Sequence, residues 1–260
     1  MRISRIKAKL SKNQPVLLTT IHYSDPSIFE MASLMGFDGI WLDLEHHHHS
    51  VETANSLLRA ARVGSSDVMV RPAKWEFMRM GRILEAGATG IMYPRCDNAA
   101  EAREVVRWSK FAPLGQRGID AANPDNPYCL MPLVEYLKAA NEQTFIVIQI
   151  EDPSALAQVD EIAAVDGVDI VFFGPGDFSI LSGIPGQMNH ELIKDAMQCF
   201  IEFPKPFWII DLCRSWTIGP SSVHAQPIAK RDEKCFLSSQ IERSVGDGDL
   251  SSDFGFVHLR

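Results

Sequence analysis

The sequence predicts an α/β protein built on a parallel sheet, and three observations carry that expectation. From Gln14 to about Asp195, short runs rich in β-branched and aromatic residues alternate with stretches whose apolar residues recur at helical spacing. Several of the runs are continuously apolar, as strands buried on both faces must be. Four of them end on an ionisable group: DGIWLDLEH (Asp38 to His46), DVMVRPA (Asp67 to Ala73), FIVIQIE (Phe145 to Glu151) and DIVFFGPGDF (Asp169 to Phe178). In a parallel sheet, open or closed into a barrel, the carboxyl ends of the strands share one face. His46, Arg71, Glu151 and Asp177 are therefore expected to converge there.

The elements follow in order. PVLLTTIHY is a short β-branched strand, and PSIFEMASLMG a helix that stops at Gly36. After the strand DGIWLDLEH, SVETANSLLRAARVG opens on Ser50 as an N-cap and closes on Gly64. Next come the strand VMVRPA, the helix WEFMRMGRILEAG, the strand GIMYP and the helix NAAEAREVVRWSKF. APLGQRGIDAANPDNPYC has no period and is rich in Gly, Pro, Asn and Asp; a loop of that length in a compact domain is usually functional or mobile. LMPLVEYLKAANEQ (helix), FIVIQIE (strand), PSALAQVDEIAAV (helix) and VDIVFFGP (strand) complete six βα-like units. Repeated β-α order requires right-handed crossovers and a parallel sheet.

Past Gln198 the rhythm fails. PFWIID reads as a seventh strand, LSSQIERSVGDG as a short helix and FGFVHLR as a short edge strand, while CRSWTIGPSSVHAQPIAKRDEKCF has no helical period. Three of the five cysteines and two of the five tryptophans fall in this tail. The chain is thus divided into a body, residues 1–198, and an aberrant segment, 199–260, produced by divergence or by a reading-frame change near Cys199. In the second case the sheet would stay unclosed.

Composition excludes several classes of partner. The 260 residues suit one large α/β barrel or two small domains. A net charge of −8 with no Lys/Arg cluster argues against nucleic acid or an anionic membrane. Arg2, Arg5, Lys7 and Lys9 precede no apolar stretch of signal-peptide length, and no apolar run approaches a membrane span. Five cysteines without a metal-knuckle spacing read as free thiols in a reducing cytoplasm.

The candidate chemistry sits at the strand ends. Asp43, Glu45 and His46 lie where a strand would bend into the mouth of the sheet, whereas His47, His48 and His49 read more simply as a solvated polar loop. Arg71, held by Pro72, offers a planar fork suited to a carboxylate or an enolate oxygen. Glu151 and Asp177, each after an apolar strand, form with water and substrate oxygens a hard-oxygen site suited to Mg²⁺ or Mn²⁺; the competing reading is that they cap the following helices. Gly174-Pro175-Gly176 permits close backbone approach. No lysine ends a strand, and Lys74 reads as an exposed helix start.

At these residues the chain resembles the HpcH/HpaI-type class II pyruvate aldolases of the phosphoenolpyruvate/pyruvate barrel superfamily. The matching stretches are GFDGIWLDLEH, MVRPA, EAGATGIMYPRCDNAAEAREVV, PLGQRGID, QIEDPSAL and VDIVFFGPGDFSILSGIPGQ, in order, within about Val16 to Gln198. The resemblance implies a (β/α)8 TIM barrel whose last two βα units are not legible here. It implies Glu151 and Asp177 as ligands of a divalent ion, Mg²⁺ or Mn²⁺ with Co²⁺ as a further candidate. Arg71 would contact the pyruvyl keto oxygen, His46 would be the base, Asp43 would orient it, and Glu45 would support them. Gln149 would face the pocket, and Gly174 and Pro175 would offer backbone to the substrate carboxylate. The implied activity is cleavage of 4-hydroxy-2-oxo acids to pyruvate and an aldehyde by a homo-oligomer. A citryl- or malyl-CoA-type lyase is the alternative within the superfamily, weakened by the acidic balance. A non-catalytic ligand-binding remnant is the alternative outside it.

Overall fold

The computed structural model describes residues 1–12, 14–202, 208–210 and 255–259. Its centre is a curled parallel sheet of six strands, half of a barrel: β1 (Val16–Thr20), β2 (Gly39–Asp43), β3 (Asp67–Arg71), β4 (Gly90–Tyr93), β5 (Phe145–Ile150) and β6 (Ile170–Phe173). All six are the strands expected from the sequence. β7 (Trp208–Ile210), inside PFWIID, continues the parallel order beside β6. β8 (Gly255–Leu259), inside FGFVHLR, is not an edge strand: it pairs antiparallel with both β7 and β1. The described residues belong to one compact unit, Met1–Cys213 with Gly255–Arg260. The expected helix LSSQIERSVGDG and the aperiodic stretch CRSWTIGPSSVHAQPIAKRDEKCF lie outside the described residues.

Period-2 alternation sorts the strands into two cores. Ile40, Leu42, Val68, Val70, Ile91, Ile146, Ile148, Val171 and Phe173 face outward and are covered by helices. Val16, Leu18, Trp41, Met69, Met92, Phe145, Val147, Ile170 and Phe172 face inward and pack on one another. Asp43, Arg71, Gln149 and Glu151 continue the inward rows two or four residues further along, so the polar cluster sits on top of the inner apolar core.

The helices wrap the outer face. α2 (Pro26–Leu34) starts on Asp25, whose carboxylate accepts from Ser27 N at 2.8 Å, and ends before Gly36, which adopts φ +92°. α3 (Val51–Ala61) starts on Ser50, whose hydroxyl accepts from Thr53 N at 3.0 Å, the cap expected. α4 (Phe77–Glu85) and α5 (Ala99–Ser109) follow β3 and β4, and α6 (Leu133–Gln143) follows the long loop and precedes β5, as predicted. PSALAQVDEIAAV is not one helix but two, α7 (Pro153–Leu156) and α8 (Val159–Ala163), because Gln158 leaves helical geometry at φ −115°, ψ 14°. α9 (Pro175–Leu181) and α10 (Glu191–Glu202) complete the set, and α10 runs without interruption across the 198/199 boundary.

Two segments differ from expectation. The amino-terminal residues form a helix, α1 (Arg5–Leu10), that closes the bottom of the sheet: Ile6 and Leu10 join the inner core. Three aspartates near the starts of β2, β3 and β6 hold it. Asp38 takes Arg5 and Lys9 at 2.6 Å each, Asp67 accepts from Ser4 Oγ at 2.7 Å and Ile6 N at 2.8 Å, and Asp169 takes Lys7 at 2.8 Å. The long loop before α6 is pinned by a buried network, with Arg117 paired to Asp125 at 2.7 Å, Tyr136 donating to the same carboxylate, and the guanidinium 4.5 Å from the Phe111 ring.

Candidate active site

The β2–β3 ladder places Asp43 directly opposite Arg71. Both side chains turn inward, so a two-point ion pair follows: Arg71 Nε donates to Asp43 Oδ1 at 2.9 Å and Nη2 to Oδ2 at 2.6 Å. Burial alone would push the Asp43 carboxyl up, but the hydrogen bonds and charge of Arg71 outweigh it and hold Asp43 below the usual carboxylate range. The guanidinium carbon also lies 4.8 Å from the centre of the Trp41 ring, one layer down. Arg71 Nη1 reaches Gln149 Oε1 at 3.4 Å, and Gln149 Nε2 donates to Glu151 Oε1 at 3.2 Å. Asp43, Arg71, Gln149 and Glu151 thus form one buried network.

Glu151 is 3% exposed. Its second oxygen accepts the Arg95 N–H at 3.0 Å. Arg95 holds φ +44°, a left-handed conformation costly for a residue with a side chain, and the N–H it points at Glu151 is what that conformation achieves. Desolvation first, and the nearby Asp177 carboxylate second, push the Glu151 carboxyl up to about 7. Asp177 lies in the first turn of α9. Gly174, between them in sequence, is needed for space: a Cβ there would stand 2.4 Å from Glu151 Oε1.

This charge pattern fits a divalent cation. Glu151, raised first by burial and second by Asp177 while Arg71 works against both, makes with Asp177 a pair of acidic groups that a hard cation would neutralise. Among the described residues no three His, Cys, Asp or Glu side chains gather into a complete metal site. An ion held by Glu151 and Asp177 would therefore draw its remaining ligands from water and substrate, as small hard ions do.

The expected site residues converge, with three corrections. Asp43 does not tether His46: it clamps Arg71, and the imidazole it meets is that of His47, at 3.8 Å. His46 is 57% exposed with its Nε2 3.6 Å from Glu45, because β2 ends at Asp43 and strand alternation no longer governs the residues beyond. Gly174 and Pro175 present no free N–H to a substrate carboxylate, since Gly174 N donates to Ile150 O at 3.0 Å and proline has none. Lys74 is not exposed: its side chain is 9% accessible and its ammonium meets Asp97 at 2.7 Å and Glu101 at 3.6 Å. Glu45 stays in the cluster, 3.3 Å from Arg71 and 3.6 Å from Arg95.

Two residues were not foreseen. His22, two positions past β1, contacts His47, and Arg95, two positions past β4, contacts both Glu45 and Glu151. Each is a polar group just beyond a strand end, the signal that flagged the other four.

A curled parallel sheet with a carboxylate–guanidinium network at its carboxyl rim defines an α/β enzyme whose chemistry sits at the strand ends. The chain matches the HpcH/HpaI aldolase/citrate lyase family over residues 21–215, past the 198 limit of the resemblance, and it belongs to that family of lyases. It is 31% identical over 196 residues to a hydroxypyruvate/pyruvate aldolase of Pseudomonas aeruginosa (75% of this chain, 73% of the relative). It is 32% identical over 193 residues to a 4-hydroxy-2-oxo-heptane-1,7-dioate aldolase of Escherichia coli (74% and 73%). The crystal structure of an HpcH/HpaI aldolase from Desulfitobacterium hafniense DCB-2 superposes with a TM-score of 0.70 at 33% identity, covering 74% of each chain. Among the described residues no helix is long and apolar enough to cross a membrane.

Proposed function

We propose that this chain is a divalent-metal-dependent aldolase that cleaves 4-hydroxy-2-oxo acids to pyruvate and an aldehyde. The observation that carries this is the buried Asp43–Arg71–Gln149–Glu151 network ending beside Asp177. Glu151 and Asp177 would hold Mg²⁺ or Mn²⁺, which when bound supplies Lewis acidity toward the 2-oxo group. Arg71, fixed by Asp43 and stacked on Trp41, donates to the oxygen on which negative charge develops as the carbon–carbon bond breaks. Its orientation is set before the reaction, so little reorganisation is needed. Gln149 holds Arg71 and Glu151 in register with each other. A proton acceptor for the 4-hydroxyl comes from the histidine-bearing loop after β2, where the resemblance marks His46. The names of the relatives, both 2-oxo-acid aldolases, support the same reaction class.

The same reading takes residues 1–198 as six units of a (β/α)8 barrel, with 199–260 as a departing segment, in a cytoplasmic homo-oligomer. Light scattering on the purified chain tests the oligomer. Pyruvate release from a 4-hydroxy-2-oxo acid, coupled to lactate dehydrogenase, tests the activity. Turnover with Mg²⁺ or Mn²⁺ that a chelator abolishes is the expected outcome. Metal binding with no pyruvate formed would refute the proposal.

A further inference from the structure

Two residues with side chains hold left-handed backbone beside the site: Trp75 (φ +67°) after β3 and Arg95 (φ +44°) after β4. Such conformations persist only where the surroundings over-determine them. The two loops do this for each other. Lys74 places its ammonium on the Arg95 carbonyl oxygen, on Asp97 Oδ1 at 2.7 Å and 3.6 Å from Glu101 Oε2. Those three acceptors match the three N–H donors of an ammonium. In return the Trp75 N–H donates to Tyr93 Oη at 3.1 Å, and Tyr93 donates to Glu101 Oε1 at 2.6 Å. The other Glu101 oxygen accepts the Asp97 N–H at 2.7 Å, so Glu101 ties the turn to the start of α5.

The same turn grips β5. The Arg95 N–H donates to Glu151 Oε2 at 3.0 Å, and the next N–H, that of Cys96, to Gln149 O at 3.1 Å. Arg95 is therefore held on both sides of its Cα, by Glu151 at its amide and by Lys74 at its carbonyl. Among the described residues the other hydrogen-bond donor to Glu151 is Gln149 Nε2, at 3.2 Å. A non-glycine residue released from positive φ relaxes to negative φ, and its N–H turns with it. Losing the grip on the Arg95 carbonyl would thus cost Glu151 one of its two donors.

We propose that Lys74 is a positioning residue: it latches the strained Arg95 turn, keeps the Arg95 N–H on Glu151, and so fixes that carboxylate in the orientation in which it takes a divalent cation. The proposal rests on the metal-binding part of the aldolase reading. Charge and geometry give it opposite signs, which makes it testable. An ammonium near the site repels an incoming cation, so by Coulomb's law alone its removal would tighten cation binding. Removal of a latch weakens it.

Mn²⁺ binding to the full-length chain, read from the electron paramagnetic resonance signal of the free ion, decides between the two. Glu151→Gln should remove the binding, which marks the ion as the one Glu151 holds. Lys74→Met should weaken it about 10-fold, what a hydrogen bond to a charged group is worth. Glycine adopts positive φ without strain, so in an Arg95→Gly background the same Lys74→Met change should cost less than about 2-fold. Tighter binding or no loss in Lys74→Met, or an equal loss in both backgrounds, overturns the proposal. Circular dichroism checks folding. If Lys74→Met does not fold, Tyr93→Phe cuts the Trp75–Glu101 link by a single hydroxyl and should weaken Mn²⁺ about 3-fold, with no loss counting against the latch.

A second measurement needs no metal. Hydrogen exchange of the Arg95 amide is followed by NMR with ¹⁵N-arginine labelling, and Arg95→Lys assigns the signal. Lys74→Met should speed that exchange about 10-fold while the other arginine amides keep their rates, as a local opening does. An unchanged Arg95 rate overturns the latch. If the wild type binds no Mn²⁺ that Glu151→Gln removes, the metal reading has failed, and the exchange rate still decides whether Lys74 holds the turn.

Discussion

The two rims of the sheet carry the same kinds of residue to opposite ends. At the bottom, Asp38, Asp67 and Asp169 are each met by a donor from α1 within 2.8 Å, and Asp38 is met by two cations. At the top, Asp43 is fully matched by Arg71, but Glu151 receives only a peptide N–H and an amide while a second carboxylate stands nearby. Carboxylates at the lower rim join the chain to itself. Glu151, buried like Asp67, differs from it in facing a second carboxylate, Asp177, a repulsion that a cation would relieve.

The sharpest break of this contrast is Glu151→Gln. It should lower pyruvate-forming activity by about 10³-fold, the several kcal/mol that a metal-held oxygen contributes, and leave the melting temperature equal or higher. A clear fall in melting temperature would place Glu151 with the lower rim. The reciprocal change, Asp38→Ala, strands Arg5, Lys9 and the Leu17 N–H that donates to it at 2.8 Å. It should cost about 2–4 kcal/mol of stability in a denaturant titration, and leave activity per folded molecule near wild type.

Burial raises a carboxyl at each rim, Glu151 above and Asp67 below. Burial pushes the Asp67 carboxyl up to about 6 despite the hydrogen bonds from Ile6 and Ser4. Since the folded value lies above the unfolded one, the folded chain keeps this proton when the unfolded chain has lost it. The group's contribution to stability is therefore fullest below about pH 4 and falls as pH rises through 6, by roughly 2–3 kcal/mol in all. Asp67→Asn should flatten the stability-versus-pH curve over that window; an identical slope in both proteins would refute the assignment. The smallest effect is Ser4→Ala, which removes both the α1 cap to Lys7 N and one Asp67 bond. It should cost about 1 kcal/mol in the same titration, and no loss would mean that α1 is held by its apolar contacts alone.

The strands and the top rim were legible because a buried run ending on a charge is a local signal. Partnership across strands was not. That Asp43 serves Arg71 and not a histidine follows from the β2–β3 register, which joins residues 28 apart in sequence. α1 escaped notice for a similar reason. Ile6 and Leu10 are a thin apolar stripe on a basic segment, and their burial depends on aspartates from three distant strands. The break at Gln158 interrupts a helical period that the residues themselves satisfy. His22 and Arg95 lie two residues beyond their strands, where alternation no longer says which way a side chain turns.

The facing positions of Asp43 and Arg71 make chemistry a witness to assembly. Sliding β2 past β3 by one residue would turn one partner toward the helices and strand the other in the interior. A preparation that binds a keto acid through Arg71 has therefore joined those two strands correctly, so ligand binding can serve as a quality-control readout for refolded or redesigned versions of the chain.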